Sequence, residues 1–194
     1  MSQGIPIGRY DDNRSAMLVI DIQEGTTGRA SRTSHYKNGS DELIKKINHV
    51  TKTAYSNGLR IIYIRNEVSD WFINMIDNSM QKGSEVALLD TRLLVLNNHI
   101  IHKERQDAFS NLMLDTILVK NEISTLYVTG LDAAFCVNRT IEAAINRNYR
   151  VVVVSDAIIS ETDSLKNFMM KKYAEKNVEL INSEEFIATF SGLK

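Results

Sequence analysis

The sequence predicts a doubly wound α/β fold, a parallel sheet covered by helices on both faces. Short runs rich in β-branched residues alternate with longer amphipathic segments along most of the chain. Those runs are apolar almost throughout, as strands buried on both faces must be, with no in-out alternation. Strand–helix alternation of this kind implies right-handed crossovers between parallel neighbours. Periodicity leaves the order of the strands open.

The first strand is "AMLVID" (16–21). Residues 40–57 then place Leu43, Ile44, Ile47, Val50, Thr51 and Ala54 at helical spacing. Ser40 is expected as N-cap, Asp41 and Glu42 suit the positive end of the macrodipole, and Gly58 supplies the stop. "RIIYIR" (60–65), "NHIIHK" (98–103), "STLYVTG" (124–130), "RVVVVSD" (150–156) and "VELIN" (178–182) read as the remaining strands. Helical patterns at 110–120, 136–147 and 163–176 separate the later ones, carried by Leu114 and Leu118, by Val137 and Ile141, and by Met169 and Tyr173. The polar first dozen residues are expected to form a loosely held arm (1–13), with 14–194 as one domain. Pro6 is the only proline, and no Gly/Ser linker or repeat divides the chain.

The bulk numbers narrow the function classes. The 194 residues are 43% hydrophobic and 24% charged with a net charge of −1, so the chain carries no broad footprint for nucleic acid or an anionic membrane. No apolar run is long enough to span a bilayer, and the amino terminus lacks the basic-then-apolar pattern of a secretory leader. A single cysteine forms no internal disulfide, which suits a reducing compartment, and a cytoplasmic protein is expected. Glycine-rich phosphate loops are absent, and the four histidines fall in no metal-binding pattern, so neither cofactor nor metal is expected.

In doubly wound sheets, sites form outside the carboxyl ends of the strands. Asp21 and Gln23 follow the first strand, Arg65 and Asn66 the second, Lys103 the third and Asp156 the fifth. The fourth leads through Gly130 to Cys136, the first residue of a helical pattern. A free cysteine is commonly a small buried apolar residue. At a helix N-terminus, though, the macrodipole and unpaired N–H groups favour a thiolate nucleophile. Asp21 suits a general base, or simply a carboxylate closing a turn. His102 and Lys103 are rivals, because neighbouring strand residues point to opposite faces. Trp71 belongs either to the core or to a pocket wall.

Together these residues resemble the isochorismatase-like cysteine hydrolase superfamily, which includes nicotinamidases, N-carbamoylsarcosine amidohydrolases and isochorismatases. The likeness runs over roughly residues 14–160. It rests on "AMLVIDIQ" with its D-x-Q ending, "GLRIIYIR", "KERQDAFSNLMLDTIL", and "LYVTGLDAAFCVNRTIEAAINRNYRVVVVSDAI", in which a glycine precedes the cysteine by six residues. The resemblance implies a six-stranded parallel sheet in the order 3-2-1-4-5-6 and a catalytic triad of Asp21, Lys103 and Cys136, which decides for Lys103 over His102. It further implies an oxyanion hole from the backbone N–H groups of Asp132 and Cys136, a cis bond between Leu131 and Asp132, and a homo-oligomer, dimer or tetramer. Gln23, Asn66, Trp71 and Phe135 are expected to touch a small-molecule substrate. The implied reaction is cleavage of a C–N bond in a small amide or carbamoyl-type compound through a thioester, with Lys103 and the helix end favouring the thiolate.

Two departures qualify this expectation. Many members carry a Thr-Asp pair where this chain has Ala133 and Ala134, which is expected to leave a more apolar pocket margin beside Phe135. That loss keeps open an alternative, a catalytically silent binding or interaction protein on the same fold. The segment "NEVSDWFINMI" also lacks the D-x-H of metal-assisted nicotinamidases, and Cys136 itself argues against isochorismatase chemistry.

Overall fold

The computed structural model describes residues 14–31, 36, 38–68 and 80–191. The expected arm (1–13) and Trp71 lie outside the described residues. Six parallel strands form one sheet: β1 (Ser15–Ile20), β2 (Arg60–Asn66), β3 (Ile100–Lys103), β4 (Thr125–Gly130), β5 (Arg150–Ile158) and β6 (Glu179–Ile181). Their order is β3-β2-β1-β4-β5-β6. The helices are α1 (Ser40–Ser56), α2 (Leu112–Lys120), α3 (Cys136–Ile145), α4 (Asp163–Glu175) and α5 (Ser183–Ser191). Among the described residues no helix is long and apolar enough to cross a membrane.

Strand alternation divides the core into two layers. Ala16, Leu18, Ile20, Ile62 and Ile64 pack with Leu114 and Leu118 of α2, Val137 and Ile141 of α3, and Met169 and Tyr173 of α4. Met17, Val19, Ile61 and Tyr63 point the other way, onto Leu43, Ile44, Ile47, Val50 and Ala54 of α1 and Phe186 of α5. Each fully buried Leu, Ile or Val contributes about 1.5–3 kcal/mol, so the near-continuous apolar strands are what both layers require.

Element boundaries moved in informative ways. Gly39, at φ 102°, is the N-cap of α1, so Ser40 is a helical residue and no side chain caps this end. The exit is as expected, with Gly58 at φ 81°. β5 runs to Ile158, two residues past the expected end, so Asp156 lies within a strand. Its carboxylate binds Lys46 of α1 at 2.9 Å and accepts from the N–H and hydroxyl of Ser183, which ties α1 and α5 together away from the strand ends. The last element, α5, follows β6 after a single residue, Asn182.

Gly130 sits where β4 leaves β1. Its φ is 117°, and a Cβ there would overlap the backbone carbonyl of Ile20, to which Leu131 N–H donates at 3.0 Å. Gly130→Ala is expected to lower stability by about 2 kcal/mol or more, read as a shift of the urea midpoint at constant slope.

Candidate functional site

Two strand ends and one helix start meet on the α2–α4 side of the sheet. Asp21 follows β1 in a left-handed conformation, φ 55°, which Asp tolerates better than most residues. Its N–H donates to Ile64 O at 2.8 Å and its C=O accepts from Thr26 Oγ1 at 2.7 Å, so the backbone that aims the carboxylate is held at both ends. Lys103 ends β3 with only 1% of its surface exposed. Its Nζ lies 2.9 Å from Asp21 Oδ2 and 3.2 Å from Cys136 Sγ. The segment beyond Lys103 is fastened to the helix carrying the cysteine, because Ala108 N–H donates to Thr140 Oγ1 at 3.1 Å.

A buried lysine tends to lose its proton, yet here the Asp21 carboxylate and the Cys136 sulfur outweigh desolvation and raise the Lys103 pKa. Cys136 moves against the expectation of a resting thiolate. Burial first, and then the Asp21 charge, push its thiol up to about 12, with Lys103 pulling the other way. The resting site therefore holds a neutral thiol beside a Lys–Asp ion pair.

The turn before Cys136 is built around Asp132. The Leu131–Asp132 peptide is cis. Asp132 Oδ1 accepts from Ala134 N–H at 2.6 Å and Ser160 Oγ at 2.7 Å, and Oδ2 from Glu161 N–H at 3.0 Å and Tyr36 OH at 3.1 Å. α3 begins with Phe135 at the N-cap position and no side-chain cap. The backbone N–H groups of Asp132 and Cys136 have no acceptor among the described residues. An oxyanion hole needs two such free donors on one turn.

Other expected site residues fall elsewhere. Gln23 is fully buried; its Nε2 donates to the carbonyls of Asn66 and Ala87, both at 2.9 Å, and its Oε1 accepts from Asn66 N–H at 2.7 Å. With its amide engaged in backbone bonds, Gln23 clamps the ends of β1 and β2 and is not a free pocket residue. Asn66 faces the register position of Lys103, and its Oδ1 is buried without a donor among the described residues, as is Asp21 Oδ1. Phe135, the residue before Cys136, is 42% exposed at the N-cap of α3. His102 points away from Lys103, into a cluster with Arg65 and Glu67. Ala133 is wholly buried in the α2–α4 core and its carbonyl accepts from Tyr173 OH, so it forms no pocket margin. The Ala133–Ala134 pair thus takes nothing from the contacts of Asp21, Lys103 and Cys136. Among the described residues no group of three His, Cys, Asp or Glu side chains could hold a metal ion.

The isochorismatase domain model matches residues 15–185, from the start of β1 to the first turn of α5. The chain belongs to the isochorismatase family. Across 159 residues this isochorismatase-family chain is 26% identical to N-carbamoylsarcosine amidase from an Arthrobacter species, covering 75% of this chain but only 60% of that relative's length. The solved N-carbamoylsarcosine amidase from Thermoplasma acidophilum superposes with a TM-score of 0.72 at 26% identity, covering 88% of this chain and 96% of that one. A cysteine hydrolase from Pseudomonas syringae pv. phaseolicola superposes at 0.81 with 20% identity over 100% of both chains, a likeness of fold.

Tyr36 and Ser160 were not singled out from sequence, and Tyr173 only as a core position of its helix. Ser160 follows the true end of β5 and would have been found had that end been placed at Ile158. Tyr36 lies in the polar run "SRTSHYKNGS", which carries no periodic signal.

A thiol whose pKa is raised keeps its proton where a free thiol loses it, so its thiolate fraction near neutrality is below ordinary. Iodoacetamide labelling of Cys136, followed by intact mass, is expected to keep rising with pH through about pH 10, where an unperturbed thiol levels off by about pH 9 to 9.5. A plateau below about pH 9 would contradict the neutral resting thiol.

Proposed function

We propose that this isochorismatase-family protein is a cysteine hydrolase that cleaves the C–N bond of a small amide or carbamoyl-type substrate through a thioester. The observation that carries the reading is the buried Lys103 ammonium within hydrogen-bonding distance of both Asp21 and Cys136. The names of the amidase relatives are consistent with it.

With the thiol neutral at rest, deprotonation has to accompany attack. As Sγ bonds to the substrate carbonyl carbon, its proton passes to Asp21, and Lys103 stabilises the negative charge that moves between the two. The carbonyl oxygen becomes an oxyanion facing the unpaired N–H groups of Asp132 and Cys136, each such donor typically contributing about 3–4 kcal/mol to the transition state. Asp21 returns the proton to the leaving nitrogen, the C–N bond breaks, and a water deprotonated by Asp21 hydrolyses the thioester. Before reaction, the buried acceptors Asp21 Oδ1 and Asn66 Oδ1 lack donors among the described residues. A substrate NH₂ group satisfies them, and leaving such acceptors unpaired costs about 1–3 kcal/mol each. Every step is assigned to a side chain or backbone group of this chain, with no metal required.

The test is a screen of primary carboxamides and terminal carbamoyl compounds for ammonia release after dialysis against EDTA. Cys136→Ala and Asp21→Asn are each expected to lower kcat at least about 10³-fold. Asn66→Ala is expected to act mainly on KM, raising it about tenfold, the equivalent of one hydrogen bond. Undiminished turnover by Cys136→Ala would refute the mechanism.

A further inference from the structure

The proposed chemistry leaves Tyr36 without a role, although its hydroxyl reaches the turn that carries the nucleophile. Tyr36 is half-buried, and its ring packs against the α1–α5 core, on the opposite side of the sheet from α3. From there its hydroxyl donates to Asp132 Oδ2 at 3.1 Å, across 96 positions of sequence. Tyr173 of α4 braces the same turn from the other layer through the Ala133 carbonyl. Burial, and next the Asp132 charge, raise the Tyr36 pKa above its ordinary value, with the Cys136 sulfur close enough to contribute. The phenol therefore remains a donor to Asp132 throughout the working pH range.

We propose that Tyr36 is a positioning residue, which acts through the Asp132 carboxylate to hold the unpaired N–H groups of Asp132 and Cys136 in line with a developing oxyanion. This deepens the hydrolase reading and rests on it. Asp132 supplies one of those N–H groups from its own backbone, while its side chain is fixed by Tyr36, Ser160 and Glu161. Releasing one side-chain donor lets the turn rotate, and misplacement by about 1 Å is enough to cost up to about 10²-fold in rate. The thiol, held separately by Lys103, is left in place.

Two probes separate these effects, and neither needs the natural substrate. Iodoacetamide alkylates Cys136 by displacing iodide and builds no oxyanion. With 4-nitrophenyl acetate the sulfur adds to the carbonyl, the thiol proton passes to Asp21, and collapse of the oxyanion expels 4-nitrophenolate to leave an acetyl thioester. In Tyr36→Phe, which keeps the ring, acylation is expected to slow about tenfold while alkylation stays within about twofold of wild type. Ser160→Ala removes a second donor to the same carboxylate from a different segment and is expected to give the same split; it decides the matter if Tyr36→Phe does not fold. Equal acylation in variant and wild type, or a parallel loss of both reactions, would overturn the positioning role and leave the hydrolase reading intact. A wild type that is not acylated at Cys136 would overturn both.

Discussion

The architecture of the site depends on one buried ion pair. Lys103 carries its charge with a fully covered side chain, against Asp21, whose own side chain is 6% exposed. Removing such charges from water costs several kcal/mol apiece, and the cost is offset only when partners are fixed at hydrogen-bonding distance. Fixing them is the work of the strand order. β2 lies between β1 and β3, so the ends carrying Asp21 and Lys103 are two strands apart, and Asp21 turns left-handed there. Gln23 locks that spacing by bonding the backbone of β2 from beneath.

Cys136 reaches this pair from the other half of the sheet. Gly130 lets β4 peel from β1 with no Cβ in the way, and the next six residues fold into a turn whose polar atoms are divided by task. The Asp132 carboxylate takes donors from its own turn and from two other segments, whereas the N–H groups of Asp132 and Cys136 take no acceptor among the described residues. Rigidity and availability are thus separated within one turn. In a buried environment that separation matters, because donors already oriented need no reorganisation when charge develops.

Much of this was legible in the sequence, and the exceptions have physical causes. The strands, α1 to α4 and the residues meeting at Lys103 followed from apolar runs and from what ends them. Strand alternation left His102 and Lys103 as rivals, and resemblance separated them as the sheet does. Errors arose where a long-range partner redefines a residue. Gln23 and Asp156 look like free polar groups at strand ends, but one is consumed by backbone bonds and the other by Lys46 and Ser183. The Cys136 thiol was expected to ionise readily from its place at a helix start; burial and the facing carboxylate reverse that, and neither is visible in local sequence. Tyr36 depends on a contact 96 residues away, which no local pattern encodes. The helix α5 does carry apolar Phe186, Ile187 and Phe190, but nine residues are too few for a clear period.

The neutral thiol bears on chemistry other than turnover. Peroxide and similar oxidants attack thiolates and scarcely touch thiols, and exposure to them begins a ladder that leads through sulfenic acid to irreversible products. This chain has no second cysteine with which to trap a sulfenic acid as an internal disulfide. Under the proposed mechanism, a sulfur that ionises only while a carbonyl carbon is in place to accept it spends its idle time in the form least open to oxidation. The carboxylate assigned the proton in the proposed attack would thereby also guard the sulfur between attacks.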